Sequence, residues 1–77
     1  MIQTSMDKSI YSKDYKEIIK RLKTARIESG LAQEEVAEKL GKPQSYISKI
    51  ESGERRLDVA ELNKFARIYK KPHSYFF

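Results

Sequence analysis

Apolar side chains recur every three or four residues in four stretches of the chain. This spacing places them on one face of an α-helix, so the pattern predicts four amphipathic helices around one core. In chain order the stripes are Tyr15, Ile18, Ile19, Leu22 and Ala25; Val36, Ala37 and Leu40; Ile47 and Ile50; and Leu62, Phe65, Ala66 and Tyr69. The expected fold is all-α with short connections.

Capping residues and glycines indicate where these helices begin and end. Ser12 or Asp14 can begin the first helix, and Asp14 is the stronger candidate because Glu17 completes a capping box. Asp58 and Glu61 form the same pattern at the start of the fourth helix. A glycine follows each of the first three stretches, as is typical of helix C-termini. These glycines are Gly30, Gly41 and Gly53.

The sequence predicts different structures for the two ends of the chain. Residues 1–11 show no apolar period, so we expect a flexible N-terminal arm ahead of one domain that spans 12–77. Pro72 is expected to end the fourth helix and to begin a short fifth turn. Phe76, within that turn, is the residue expected to close the bottom of the core.

The third stretch has an unusual polar face. At about 100° per residue, its polar side chains occupy one arc of the helix, opposite Tyr46, Ile47 and Ile50. The members of this arc are Gln44, Ser45, Ser48, Lys49 and Ser52. A merely solvated face usually carries paired Glu and Lys. Amides, hydroxyls and a single Lys are better suited to reading base edges in a DNA groove.

Composition narrows the class of function. The 77 residues allow one small domain, and 16 Lys and Arg against 11 Asp and Glu favour an anionic partner. Residues 31–51 are nearly neutral, whereas both flanking segments carry excess positive charge. The chain has no Cys, which excludes thiolate metal sites, disulfides and Cys nucleophiles. It also lacks a membrane-spanning run and a signal peptide, so we expect a cytoplasmic protein with no membrane partner.

Three ordered segments resemble a known family. They read RLKTARIESGLAQEEVAEKLG, KPQSYISKIESGER and LDVAELNKFARIY. In order and spacing they are similar to the lambda-repressor/Cro-like (Xre-type) helix-turn-helix family, from about Leu22 to Phe76. The resemblance implies a compact five-helix lambda-repressor-like DNA-binding domain. In it, helices 2 and 3 form the helix-turn-helix and helix 3 enters the major groove.

The resemblance also implies residue roles. Gln44, Ser45 and Lys49 match base-reading positions, and Gln suits adenine while Lys suits guanine. Arg26 and Glu51 match an ion pair between the first and third helices. The positions expected to contact the DNA backbone, or backbone and bases, are Gln33, Lys42, Tyr46, Ser48, Arg55 and Arg56. A packing role for Tyr46 is equally open.

Two residues depart from the family pattern. Ala32 stands before the second helix and Pro43 before the third, where the family usually has Ser or Thr. Neither side chain can accept the first backbone N–H groups of its helix, and Ala at such a position typically costs about 1 kcal/mol. We therefore expect the stability of the motif to depend mostly on the packing of its apolar residues.

The expected function is sequence-specific DNA-binding regulation of transcription on a palindromic operator. Double-stranded DNA is the expected partner, together with a second copy of the chain that docks at a C-terminal aromatic end. The residues of that end are Tyr69, Tyr75, Phe76 and Phe77. The alternative is a protein-interaction helix-turn-helix module of an antitoxin or larger regulator. Such a module would carry an apolar stripe on its third helix, where this chain carries amides and hydroxyls.

Enzymatic activity is not expected. The single histidine, His73, has no nucleophile or metal-ligand pattern near it. No cofactor, metal or small-molecule ligand is suggested by the sequence.

Overall fold

The computed structural model describes residues 12–77, and these form four α-helices and one 3-10 turn. The helices are α1 (Lys13–Glu28), α2 (Gln33–Leu40), α3 (Gln44–Glu51) and α4 (Val59–Tyr69), and the turn is His73–Tyr75. Over this range the all-helical prediction is confirmed, with no strand. The implied fifth helix is replaced by the 3-10 turn, because only three residues separate Pro72 from the buried Phe76. The expected N-terminal arm, 1–11, lies outside the described residues.

The predicted apolar stripes converge on one core. Leu22, Val36, Ile47 and Ile50 are fully buried, and so are Phe65 and Phe76 from the C-terminal third of the chain. Helix α3 packs against both α1 and α2, and α4 packs against α1 and α2. Helix α3 is thus anchored in the core by Ile47 and Ile50, and truncating either of them to Ala would cost about 2–5 kcal/mol.

The C-terminal aromatic residues are divided between core and surface. Tyr69 is 3% exposed and Phe76 is 0% exposed, whereas Phe77 is 73% exposed and Tyr75 is half-buried. The predictions that Tyr69 belongs to the core stripe of α4 and that Phe76 closes the core are confirmed, so neither ring is available to the expected dimerisation end. Both rings belong to the core cluster, Tyr69 from the last turn of α4 and Phe76 from the chain that follows Pro72.

The helix starts follow two different capping patterns. Ser12 caps α1, since its side chain accepts a hydrogen bond from the Tyr15 N–H at 3.0 Å. The preference for Asp14 was wrong: it lies in the first helical turn, where its charge still favours the positive end of the helix dipole. Asp58 and Glu61 form the predicted reciprocal capping box at 2.7 and 2.9 Å.

The turn between α2 and α3 is tight. Gly41 adopts a left-handed conformation with φ 68°, which costs glycine little, and the Lys42 N–H donates to the Ala37 carbonyl at 2.9 Å. At the other end of α2, Glu35 accepts a hydrogen bond from the Ala32 N–H at 2.7 Å, but Ala32 has no side-chain oxygen that could accept one in return.

No helix among residues 12–77 has the length and hydropathy needed to cross a membrane.

Candidate nucleic-acid interface

The polar arc predicted for the third helix forms the solvent-facing side of α3. Gln44, Ser45 and Lys49 are exposed, and Ser48 is half-buried. On the opposite side of the helix, Ile47 and Ile50 are 0% exposed. The three residues expected to read bases therefore share one open surface, which is fixed to the core by the two isoleucines.

Gln44 and Gln33 are directly hydrogen-bonded. The Gln44 Nε2 donates to the Gln33 Oε1 at 2.6 Å, and the Gln33 Nε2 donates to the Glu51 Oε1 at 2.9 Å. Gln44 thereby uses one of its two amide hydrogens and keeps its Oε1 and the second hydrogen. These are the acceptor and the donor that a glutamine presents to an adenine in the major groove.

An ion pair anchors this network to the protein interior. Arg26 donates from Nε to Glu51 Oε2 at 2.7 Å and from Nη2 to Glu51 Oε1 at 3.1 Å, and its Nη1 donates to the Leu31 carbonyl at 2.8 Å. The two side chains are only 12% and 4% exposed. The hydrogen bond to Glu51 raises the pKa of Arg26. Because three elements meet here, the pair fixes the end of α3 against α1 and the α1–α2 loop.

Tyr46 has a packing role at the start of α3. Its hydroxyl donates to the Glu61 Oε2 at 2.6 Å, and the Arg55 guanidinium lies 4.6 Å from its ring centroid. Burial, together with the hydrogen bond to Glu61, raises the pKa of Tyr46 to about 12. Burial alone would raise the pKa of Glu61, but the hydrogen bonds from Tyr46, the Asp58 N–H and Arg55 outweigh it and lower that pKa.

Cationic residues flank α3 on the turn and on the loop that follows it. Lys42 and Arg56 are exposed, and the Lys42 Nζ lies 5.3 Å from the Tyr46 ring centroid. Arg55 is more constrained, because its Nη1 donates to the Glu61 Oε2 at 3.0 Å and to the Arg56 carbonyl at 2.9 Å. The two arginines of this loop therefore differ, with one held by neighbours and the other open.

Tyr15, which the sequence pattern placed only in the core, also contacts the loop that carries Arg55 and Arg56. Its hydroxyl accepts from the Leu57 N–H at 2.8 Å and donates to the Arg55 carbonyl at 3.3 Å. Burial raises the pKa of this hydroxyl. A hydrogen bond across some forty residues leaves no local pattern, and the one available signal is a tyrosine at the edge of an apolar stripe. Tyr15 fastens the arginine-bearing loop to α1.

The side chains around α3 are mainly hydrogen-bond donors. Within residues 12–77, no three His, Asp or Glu side chains are grouped so that they could hold a metal ion. What the surface offers instead is a set of amide, hydroxyl and cationic donors around one exposed helix face.

The chain matches a model of a known protein family. A family model described as "Helix-turn-helix" matches residues 22–76, which is more than half of the chain and includes α2, α3 and α4 in full. A search of curated proteins finds no match. The matched range begins within α1 and ends at the buried Phe76.

Proposed function

The chain belongs to the Xre/lambda-repressor-like helix-turn-helix family, and on this premise we propose that it is a sequence-specific DNA-binding regulator of transcription. In this proposal α3 enters the major groove and α2 lies across the DNA backbone. The protein-interaction module is the competing function, but no exposed apolar stripe on α3 favours it.

The observation that carries the proposal is the exposed and oriented amide of Gln44. Its contact with Gln33 fixes the side chain before DNA arrives, so less conformational freedom is lost on binding. We assign adenine recognition to Gln44, guanine recognition to Lys49, and a hydrogen bond to either base to Ser45.

The flanking residues are proposed to bind phosphates. Lys42 and Arg56 are exposed on either side of α3, and Gln33 stands at the start of α2. Ser48 and Arg55 complete the proposed backbone set, whereas Tyr46, whose hydroxyl is bonded to Glu61, contributes through packing. Cations that surround a less charged reading surface would position the helix without dictating sequence.

We further propose that two copies bind a palindromic operator, with one α3 in each half-site. A single α3 reads too few bases to select one site among the many that a genome offers. Phe77, which is 73% exposed, and the half-buried Tyr75 are the aromatic residues that remain for an interface. Sedimentation at rising concentration should show a dimer that Phe77→Ser weakens; an unchanged dimer would place the interface elsewhere.

Titration of a mixed pool of duplex DNA at two salt concentrations tests the proposed function. Affinity should fall steeply as salt rises, because each phosphate contact releases about 0.9 counterion. Binding that is absent, or that does not respond to salt, would favour the protein-interaction module.

A further inference from the structure

We propose that Glu61 is a positioning residue that holds Arg55 ready to bind one DNA backbone phosphate, an inference that rests on the proposed function. Glu61 lies in the first turn of α4 and is not among the residues that the family resemblance assigns to DNA contact. It acts through the arginine and does not touch DNA itself.

The donors of Arg55 are divided between protein and solvent. Both hydrogens of Nη1 have partners, namely the Glu61 Oε2 at 3.0 Å and the Arg56 carbonyl at 2.9 Å. Within residues 12–77, Nε and Nη2 make no hydrogen bond that meets ordinary geometric limits, although the guanidinium can donate from all three nitrogens. The side chain remains 41% exposed. With respect to the part of the chain that the structure describes, Arg55 therefore keeps one complete edge of its guanidinium for an external acceptor.

That edge has the right geometry for a phosphate. Nε and Nη2 donate in parallel, so together they match two oxygens of a carboxylate or phosphate. Arg26 of the same chain binds Glu51 through these same two nitrogens, at 2.7 and 3.1 Å. The free edge of Arg55 is the equivalent site, open to solvent.

Three neighbours restrict Arg55 before DNA binds. The Tyr46 ring lies 4.6 Å from the guanidinium, the Tyr15 hydroxyl donates to the Arg55 carbonyl, and Glu61 accepts from Nη1. An arginine ordered in advance loses less rotamer freedom when it meets a phosphate. Among residues 12–77, Arg56 has no such neighbours and is exposed, so its side chain is expected to lose more rotamer freedom when it binds a phosphate.

Glu61 can perform this role because its own position is fixed. Its Oε2 accepts from Tyr46 at 2.6 Å and from Arg55, while its Oε1 accepts from the Asp58 N–H at 2.9 Å. The side chain is 18% exposed. A glutamine at this position has only one acceptor oxygen, so it cannot serve both the helix cap and the Tyr46–Arg55 pair.

The direction in which Glu61→Gln changes DNA affinity distinguishes a positioning role from a purely electrostatic one. Removing a negative charge near DNA should strengthen binding if charge alone matters, because DNA is a polyanion. If Glu61 positions Arg55, Glu61→Gln should instead weaken binding. Glu54→Gln is the matched control. Glu54 precedes Arg55 in the loop between α3 and α4, and its carboxylate accepts a hydrogen bond from the Ser52 hydroxyl rather than from Arg55.

The test measures Kd for a duplex that the wild-type protein selects from random DNA, with the fold of each variant checked by circular dichroism. We expect Glu61→Gln to weaken binding about three- to tenfold, as the loss of one ordered side chain would. In an Arg55→Ala background the same substitution should have no weakening effect, and Glu54→Gln should bind as tightly as wild type or more tightly. Tyr46→Phe keeps the charge and the helix cap, and it should weaken binding in the same direction.

Two results would overturn the positioning role. One is wild-type or tighter binding by Glu61→Gln, and the other is an equal loss with and without Arg55. Failure of the wild-type protein to bind any duplex is a distinct result, which overturns the proposed function and this inference with it.

Discussion

Gln44, the first residue of α3, donates a hydrogen bond of 2.6 Å to Gln33, the first residue of α2. This contact ties the reading helix to the helix proposed to cross the DNA backbone. Gln33 in turn donates to Glu51, which is paired with Arg26. A continuous chain of polar contacts therefore runs from this ion pair, whose side chains are 12% and 4% exposed, to the proposed base-reading amide.

Removing the Gln33 amide should loosen Gln44. Gln33→Leu keeps similar bulk but removes both hydrogen bonds, so discrimination at the base pair read by Gln44 should fall by less than the full loss of about 1–3 kcal/mol. Competition binding with single-base variants of a selected site measures this. Glu34→Gln, at the neighbouring exposed position, is the control and should leave base preference intact. If Gln33→Leu changes affinity for all sites equally, Gln33 acts only on the backbone.

Removing one partner of the Arg26–Glu51 pair should lower the free energy of unfolding much more than replacing both partners with apolar residues. Arg26→Met leaves the Glu51 carboxylate, 4% exposed, without its ion partner, so it should lower the free energy of unfolding by about 3–5 kcal/mol. Replacing both residues, as Arg26→Met with Glu51→Leu, should recover most of that loss. Urea unfolding at 25 °C measures both variants. A single-variant cost below about 0.5 kcal/mol would contradict an anchoring role.

The missing cap of α2 offers a stabilising change. Ala32 has extended N-cap geometry with ψ 160°, and its side chain accepts no hydrogen bond. Ala32→Thr should supply an acceptor for the Glu35 N–H and stabilise the protein by about 1 kcal/mol. For a domain of this size that corresponds to a rise in Tm of about 4–8 °C. Ala32→Val has the shape of Thr without the hydroxyl, and a matching rise with Val would refute the capping explanation.

Ionisation of Tyr46 should lower the free energy of unfolding as pH rises in the alkaline range. Its pKa is raised to about 12 in the folded protein, so the folded state holds the proton more tightly than the unfolded state, whose tyrosine titrates near pH 10. This contribution is complete below about pH 10 and is lost as pH rises towards 12. Tyr46→Phe should therefore show a shallower loss of stability over this window, by up to about 1.4 kcal/mol per pH unit. Tyr15 and Tyr69 are present in both proteins, so their contributions cancel in the comparison. If the stability of both proteins falls equally with pH, Tyr46 does not contribute to the loss.

Periodicity was sufficient to predict the core and most helix ends. Eleven of the fourteen stripe residues are buried, and the other three, Tyr15, Ile18 and Leu40, are half-buried against the core. The capping box of Asp58 and Glu61 formed as predicted. Both predictions depend on residues within one or two turns of each other. The choice of Asp14 over Ser12 failed, since two polar residues so close together offer the backbone nearly equal caps.

Contacts between distant side chains could not be predicted from the sequence. The Tyr15–Leu57, Gln33–Gln44 and Tyr46–Glu61 hydrogen bonds each depend on how two helices or a loop are packed, and a stripe predicts a face but not a side-chain rotamer. The surface aromatics were overcounted for a different reason. Periodicity and Pro72 already predicted Tyr69 and Phe76 in the core, and a side chain that fills the core cannot also form a docking surface.

Base reading by Gln44 is tested most directly by selecting bound sequences from random double-stranded DNA with the wild-type protein and with Gln44→Ala. The wild type should enrich a two-fold symmetric pair of half-sites about one helical turn apart. Gln44→Ala should lose preference at one position of each half-site and keep the others, whereas Arg56→Ala should select the same sequence at lower affinity. Enrichment of no sequence by the wild type, or of an unchanged consensus by Gln44→Ala, would contradict base reading by α3 through Gln44.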